Sequence, residues 1–237
     1  MTHINNQEWL TLPVSVIIAG ALIGASIYMG AREISGGGVA TASANPAAVA
    51  NTGIKIAPVT SADHVLGNPA AKVKLIVYTD LECPFCKQYH GNIKTAIAKY
   101  SPDDVAVVYR PFPLPFHDKA FKEAEAAECA AEQGGNAKFW AYVDRVFEIS
   151  PTNNKLDPAE LPKIAAHVGL DVTKFNSCLT SGKYKAKIDA SIKEGAVAGA
   201  SGTPYSVLIT KDGPTAIKGA ATTATLEDKF DTALGKK

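Results

Sequence analysis

Apolar residues follow two different periods along this chain, and the change between them predicts the order of its elements. A short, β-branched apolar run at 73–79 predicts a buried strand. Beyond it, Ile93, Ala96 and Ile97 recur at helical spacing, and a second β-rich run follows at 105–109. A strand, a helix and a strand of this size predict two parallel strands joined by a right-handed crossover.

A long helical tract follows this first unit. Apolar spacing, with glycine and proline between the segments, predicts helices at 120–132, 137–149, 158–168, 171–179 and 184–198. The remaining elements are expected to be a short edge strand at 54–57 before a turn region at 63–69, a hairpin of strands 205–210 and 215–218, and a last helix at 226–234. The helices at about 117–200 therefore form an insertion within a split α/β sheet domain.

The stretch from Trp9 to Ala31 has no charged residue and the length of a membrane-spanning helix. A cleaved signal peptide is the alternative, with Ala40-Thr41-Ala42 as one possible cleavage box. The apolar run is long for a signal peptide and no basic segment precedes it, which favours a membrane anchor over residues 1–34. Residues 35–53 are rich in glycine, alanine and serine and predict a flexible linker, so the folded domain is expected at 54–237.

Charge and composition exclude some classes of function. The 237 residues are 46% hydrophobic, which suffices for one domain with a sizeable core. The 24 basic and 23 acidic residues leave a net charge of +1, so no electrostatic argument indicates nucleic acid binding. The sequence has no glycine-rich phosphate loop.

The candidate chemistry lies at Cys83-Pro84-Phe85-Cys86, where the predicted strand gives way to the predicted helix. This position places Cys83 at a helix N-terminus, where unpaired N–H groups and the helix dipole favour a thiolate. Pro84 suits the first helical position. Cys86 returns to the same helix face three residues later, close enough to form a disulfide with Cys83.

This Cys-x-x-Cys motif could be a redox-active dithiol, half of a structural zinc site or a static disulfide. A structural zinc site needs four ligands, and the other cysteines, Cys129 and Cys178, form no second close pair. A static disulfide across so small a loop removes little entropy from the unfolded chain. A redox-active dithiol is therefore the favoured interpretation, and no metal site is predicted.

A second signal lies far downstream, at Gly202-Thr203-Pro204, directly before the apolar strand 205–210. Proline in this position is usually an edge or turn residue, and the fragment alone is equally compatible with a trans-proline turn.

Together, the two signals make the chain resemble the thioredoxin superfamily, and more narrowly its DsbA-like thiol:disulfide oxidoreductases. The matching stretches occur in the family's order at 63–70, 78–86, 110–114 with His117, 127–130 and 202–204. The resemblance implies a thioredoxin fold with an inserted helical subdomain, here preceded by a transmembrane helix. It also implies that the Thr203–Pro204 bond is cis, that Thr203 binds the backbone of the substrate, and that Pro204 packs against the sulfurs.

The residues next to and between the two cysteines also affect the chemistry. The best-known member of the family has histidine between its cysteines where this chain has Phe85, so a milder oxidant is expected. Glu82 and Asp80 are expected to be surface charges; the alternative is that such a carboxylate points inward and serves as a proton relay for Cys86.

Cys129 and Cys178 are either two free buried cysteines or a structural disulfide between helices. An oxidising compartment and the resemblance, which includes Cys129, favour the disulfide.

The expected function is disulfide formation in extracytoplasmic, cysteine-containing proteins, with Cys83 attacked by the substrate and Cys86 as its resolving partner. Four cysteines support an extracytoplasmic domain on a single-pass membrane protein, whereas the few charges around residues 9–31 do not. The resemblance implies reoxidation by a quinone-linked membrane enzyme, DsbB-like or vitamin K epoxide reductase-like, and no cofactor is expected. The alternatives are a disulfide reductase or isomerase, and a non-enzymatic chaperone or metal carrier.

Overall fold

A five-stranded sheet organises the described part of the chain, residues 53–236 of a computed structural model. The strands are β1 (His64–Leu66), β2 (Val73–Thr79), β3 (Val105–Pro111), β4 (Tyr205–Thr210) and β5 (Gly213–Lys218). The helices are α1 (Pro84–Ile97), α2 (Ala120–Ile149), α3 (Glu160–His167), α4 (Val172–Ser181), α5 (Lys185–Val197) and α6 (Thr223–Leu234).

The strand order is β1-β3-β2-β4-β5. Strands β2 and β3 are parallel, with Leu75 opposite Val107, and are joined through α1, which confirms the predicted pair of parallel strands with a helix between them. Strand β4 pairs antiparallel with β2 on the other side, and β4 and β5 form the predicted hairpin. The four helices α2–α5 lie between β3 and β4 in sequence, so the predicted helical insertion in an α/β sheet domain is confirmed.

Both faces of β2 are buried, which explains why its sequence is a nearly continuous apolar run rather than an alternating one. Leu75 and Val77 face one core cluster, which includes residues of α1, α2 and α6. Ile76 and Tyr78 face a second cluster on the opposite face of the sheet. The carboxyl end of this buried strand leads to the two cysteines.

Two local predictions need correction. No strand forms at 54–57; instead Ile54 and Ile56 pack against the second cluster. The edge strand is β1, inside the predicted turn region, because its backbone pairs antiparallel with β3. The helices predicted at 120–132 and 137–149 are confirmed: they form the two halves of α2, which is kinked where the backbone leaves the helical conformation at Gly134 and at Gly135, whose φ of +61° favours glycine.

The predicted anchor, 1–34, and all but the last residue of the predicted linker, 35–53, lie outside the described residues. Within residues 53–236, no helix has both the length and the apolar character needed to cross a membrane.

Candidate active site

Cys83 lies where helix α1 begins. It is the N-cap residue, with an extended backbone (φ −82°, ψ 122°), and Pro84 follows at the start of the helix. The N–H of Cys83 donates to the carbonyl of Asp80 at 3.2 Å. The N–H groups of Phe85 and Cys86, in the first helical turn, both favour a thiolate at Cys83.

Hydrogen bonds lower the pKa of the Cys83 thiol from its usual 9.0 to about 6. The hydrogen bond from the Cys86 thiol contributes most, and Thr203 and the backbone N–H groups of the first turn contribute less. Burial acts in the opposite direction and is outweighed. In the reduced protein, Cys83 is therefore a thiolate at neutral pH.

Cys86 has the opposite character. Burial raises the pKa of its thiol well above the usual 9.0, and the neighbouring Cys83 raises it further. A hydrogen bond with the Thr79 side chain only partly offsets this effect. The pair therefore consists of one thiolate and one buried thiol that keeps its proton.

The Thr203–Pro204 segment lies against the cysteines although it is far away in sequence. The peptide bond between Thr203 and Pro204 is cis. The Thr203 carbonyl oxygen lies 3.5 Å from Cys83 Sγ, and the Pro204 carbonyl accepts a hydrogen bond from the N–H of Gly219 at 3.0 Å. Strand β4, which begins at the next residue and pairs with β2, holds this segment beside the dithiol. That Thr203 binds a substrate backbone stays a prediction.

Glu82, directly before the motif, is fully buried, so the surface-charge reading is wrong for this residue. Its carboxyl group is hydrogen-bonded to that of Glu123 on α2, which is also buried. Burial, and next the interaction with Glu82, raise the pKa of Glu123 to about 9. At neutral pH, Glu123 therefore holds a proton between the two carboxyl groups.

A loop after α2 packs against Glu82. The N–H of Asn153 donates to the Glu82 carbonyl at 2.7 Å, and the N–H of Asn154 donates to Glu82 Oε2 at 2.5 Å. Thr152, Asn153 and Asn154 have φ of 64°, 53° and 61°. Three consecutive non-glycine residues in the left-handed region are unusual, although asparagine tolerates it best. The loop's donors are thereby aimed at the residue before Cys83.

Asp80 is also buried, which excludes its reading as a surface charge. Its Oδ2 accepts from the N–H of Leu114 at 2.7 Å and lies 2.9 Å from Nδ1 of His117, and its Oδ1 accepts from the N–H of Glu82 at 2.7 Å. Burial raises the pKa of Asp80 despite these contacts. Both oxygens are occupied in holding the turn between β2 and α1.

Sequence reasoning did not find Glu123. One signal was available: Ala127 and Ala130 lie four and seven residues further along the same helix, and both are buried. A glutamate on that apolar face must either be paired or hold a proton. Its partner, Glu82, could not be inferred, because the pair spans 41 positions of the sequence.

Phe85 remains largely exposed within the motif, at 62%, and Phe116 is 66% exposed. Phe112, in contrast, is buried in the second cluster. The side chains of Phe85 and Phe116 are therefore available to contact a partner, and that of Phe112 is not.

The other two cysteines are bonded to each other. A disulfide joins Cys129 on α2 to Cys178 on α4, which are 49 positions apart in the sequence. No group of three His, Cys, Asp or Glu side chains that could hold a metal ion occurs in the described residues.

The sequence profile of a family described as thioredoxin matches residues 59–227. The chain belongs to the thioredoxin family. Among solved structures, this thioredoxin-family protein is similar to DsbA2 of Pseudomonas aeruginosa, with 30% sequence identity and a TM-score of 0.62, over 72% of this chain and 94% of that one. A thioredoxin-like oxidoreductase from Silicibacter pomeroyi is 25% identical with a TM-score of 0.61, over 73% and 92% of the two chains. The predicted resemblance to DsbA-like thiol:disulfide oxidoreductases is confirmed.

Curated relatives of this thioredoxin-family protein carry a different name. Na(+)/H(+) antiporter NhaA 1 of Mycolicibacterium gilvum is 36% identical over 115 residues, which are 48% of this chain and 18% of the antiporter. NhaA 3 of Salinispora tropica is 34% identical over 143 residues, 60% of this chain and 21% of the antiporter. The chain thus matches only about a fifth of the length of these relatives.

Proposed function

We propose that this protein oxidises pairs of thiols in extracytoplasmic substrate proteins by dithiol–disulfide exchange at Cys83 and Cys86. The observation that supports the direction is the asymmetry of the pair. A stabilised Cys83 thiolate favours the reduced form of the enzyme, so the oxidised form gives up its disulfide readily.

The size of this effect follows from the pKa of Cys83. At pH 7, a thiol with a pKa of about 6 instead of 9.0 favours the reduced protein by up to about 1.4 kcal/mol. This raises the two-electron reduction potential by up to about 30 mV. Solvent screening at the sulfur makes both figures upper values. The contribution is real but modest, which agrees with the milder oxidant expected from Phe85.

The exchange proceeds in two steps. A substrate thiolate attacks Cys83 Sγ, the Cys83–Cys86 bond breaks, and the departing Cys86 sulfur takes up a proton. A second substrate thiolate then attacks the substrate sulfur of the mixed disulfide and expels the Cys83 thiolate. The substrate leaves with a disulfide and the enzyme with one thiolate and one thiol.

The substrates are proposed to be cysteine-containing proteins that are unfolded or partly folded. Phe85 and Phe116 supply apolar side chains for such chains, and Thr203 supplies backbone groups beside Cys83. Because this chain matches only about a fifth of the antiporters' length, we do not extend ion transport to it.

An extracytoplasmic location on a single-pass membrane anchor is part of the proposal. The disulfide between Cys129 and Cys178 supports an oxidising compartment, and the uncharged stretch 9–31 supports the anchor. A DsbB-like or vitamin K epoxide reductase-like membrane enzyme would then reoxidise the dithiol. In intact cells, a membrane-impermeant alkylating reagent should block the reduced Cys83; protection of Cys83 until lysis would contradict this location.

The reduction potential of the Cys83–Cys86 pair in a glutathione buffer tests the direction. A value between about −120 mV, typical of the strongest oxidants, and about −180 mV is expected for a milder disulfide donor. The matched variants Cys83→Ser and Cys86→Ser should lose oxidation of a reduced substrate protein. Continued oxidation by Cys83→Ser would contradict the assignment of the attacked sulfur.

A reductase or isomerase is the second candidate, because hydrogen bonds account for the main stabilisation of Cys83 and the residue beside it is Phe85 rather than a cation. A potential near about −270 mV would replace the oxidase with this function.

A further inference from the structure

A small cavity of about 20 Å³ lies behind the dithiol, between α1 and the sheet. It is lined by the resolving cysteine, a histidine one helical turn further along α1, and aromatic residues of β3 and α2. A water molecule needs about 10–15 Å³ of such space and between two and four polar partners. The cavity is therefore the size of one water molecule.

Two buried polar groups in the cavity wall need a partner. The hydroxyl of Tyr109 and the indole N–H of Trp140 have no hydrogen-bond partner among the described residues. Both side chains are buried and both line the cavity. A buried polar group without a partner costs about 1–3 kcal/mol, so a water molecule that accepts from the Trp140 N–H and donates to the Tyr109 hydroxyl oxygen removes a real penalty. Its second lone pair then stays free for the Cys86 S–H, and its second O–H for a ring nitrogen of His90.

The cavity also adjoins a charged group that reaches the surface. His90 lines it, and its Nε2 lies 2.6 Å from Asp144 Oδ1. Lys94 donates to the other oxygen of Asp144 at 2.7 Å. Asp144 is 38% exposed whereas His90 is only 15% exposed, so the pair connects the buried cavity to solvent.

We propose that a water molecule in this cavity and His90 together carry the proton of Cys86 to and from the surface. The inference rests on the proposed exchange at Cys83 and Cys86, and it assigns the proton step that this exchange requires. When Cys86 attacks a mixed disulfide at Cys83, its S–H bond breaks and its proton passes through the water to the second ring nitrogen of His90. Asp144 stabilises the imidazolium that forms, and solvent then takes the proton.

The other groups around Cys86 are poorer acceptors. On its own helix, Tyr89 is a weak acid whose pKa is raised to about 12, mainly by burial, and its hydroxyl accepts a hydrogen bond from Ser206. Asp80 has both oxygens occupied. From β2, Thr79 supplies only a hydroxyl.

Two carboxyl groups and one lysine complete the surroundings. Glu123 already holds a proton at neutral pH, and Glu82 Oε2 accepts from the N–H of Asn154. Lys94 donates to the Asp144 oxygen that His90 does not contact.

The test measures two steps separately: attack by the Cys83 thiolate, which involves no proton of Cys86, and attack by Cys86, which requires that Cys86 lose its proton. Reduced full-length protein is mixed with oxidised glutathione, quenched with acid at intervals and analysed by mass. The Cys83 thiolate first forms a mixed disulfide with glutathione at a rate that depends on glutathione concentration. Cys86 then releases the bound glutathione in a first-order step that requires loss of its proton.

In His90→Gln, the second step should slow by about 10²-fold near pH 7, the lower end for general-base catalysis, while the first step stays unchanged. The difference should narrow as pH rises, because hydroxide then removes the proton. His167→Gln, at the exposed end of α3, is the matched control and should leave both steps unchanged. Tyr109→Phe, which removes one hydrogen-bond partner of the water, should slow the second step less than His90→Gln.

Three results would overturn the inference. One is a second step that has the same rate in the wild type and in His90→Gln at every pH. Another is a larger slowing in Glu123→Gln than in His90→Gln, since the carboxyl pair would then be the acceptor. The third is a high-resolution crystal structure without a water in contact with Tyr109 and Trp140. If the wild type forms no mixed disulfide at all, it is the proposed function that fails instead.

Discussion

Replacing Glu123 by glutamine should stabilise the protein, and increasingly so as the pH rises. Glu123 and Glu82 are buried side by side, and Glu123 keeps its proton because burial disfavours a second charge there. Glutamine is neutral at every pH, has nearly the same shape, and can donate to Glu82 as the protonated carboxyl does. The substitution therefore keeps the contact and removes the titration.

The magnitude follows from the two pKa values of Glu123, about 9 in the folded protein and the usual 4.5 in the unfolded chain. Below pH 4.5 the carboxyl group of Glu123 is protonated in both the folded and the unfolded protein, so it does not make the free energy of unfolding depend on pH. Above that value the unfolded chain releases the proton while the folded protein keeps it, so stability falls as pH rises towards 9. The loss is about 1.4 kcal/mol per pH unit, or about 3 kcal/mol at pH 7.

Urea unfolding of the wild type and of Glu123→Gln, at several pH values between about 5 and 9, gives the free energy of unfolding of each protein. The gap is the free energy of the variant minus that of the wild type. The gap should be small at pH 5 and approach about 3 kcal/mol at pH 7. Glu160→Gln is the matched control, because Glu160 lies at the surface, paired with Lys163, and its gap should stay below about 1 kcal/mol throughout. A Glu123→Gln gap that does not widen with pH, or that favours the wild type, would refute the reasoning.

Three further measurements probe the site and its support. In the reduced protein, the ultraviolet absorbance of the Cys83 thiolate should titrate with a midpoint of about 6; a midpoint near the free-cysteine value of about 8.5 would contradict the stabilised thiolate. Gly195→Ala should lower the free energy of unfolding by about 1–3 kcal/mol, because its methyl group would lie 2.7 Å from a core aromatic ring. Gly91→Ala, a helix site where the added methyl would have no described atom within 4 Å apart from its chain neighbours and its own helix backbone, is the control and should be neutral or stabilising. Replacing Cys129 and Cys178 by alanine should cost up to about 4 kcal/mol in urea unfolding without abolishing exchange, and complete loss of exchange in folded protein would show that this disulfide is not merely structural.

Much of the fold could be predicted because it is encoded in local patterns. The apolar run at 73–79 is continuous because both faces of β2 are buried, and the helices of the insertion follow from apolar spacing between glycine and proline. The edge strand was misplaced because Ile54 and Ile56 look like a strand but pack by their side chains alone. A strand is defined by its partner, and no local pattern shows that His64 faces Tyr109 on β3.

The sequence by itself determined the position of the dithiol, since a strand, a cysteine, a proline and a helix in that order place Cys83 at a helix N-terminus. Only the tertiary structure decided what surrounds that dithiol. It brings Thr203 to within 3.5 Å of the Cys83 sulfur across 120 positions, pairs Glu82 with Glu123, and places Tyr109 and Trp140 around the cavity behind Cys86. Helix ends arise from interactions between near neighbours in sequence, whereas buried polar contacts depend on which distant side chains the packed core brings together.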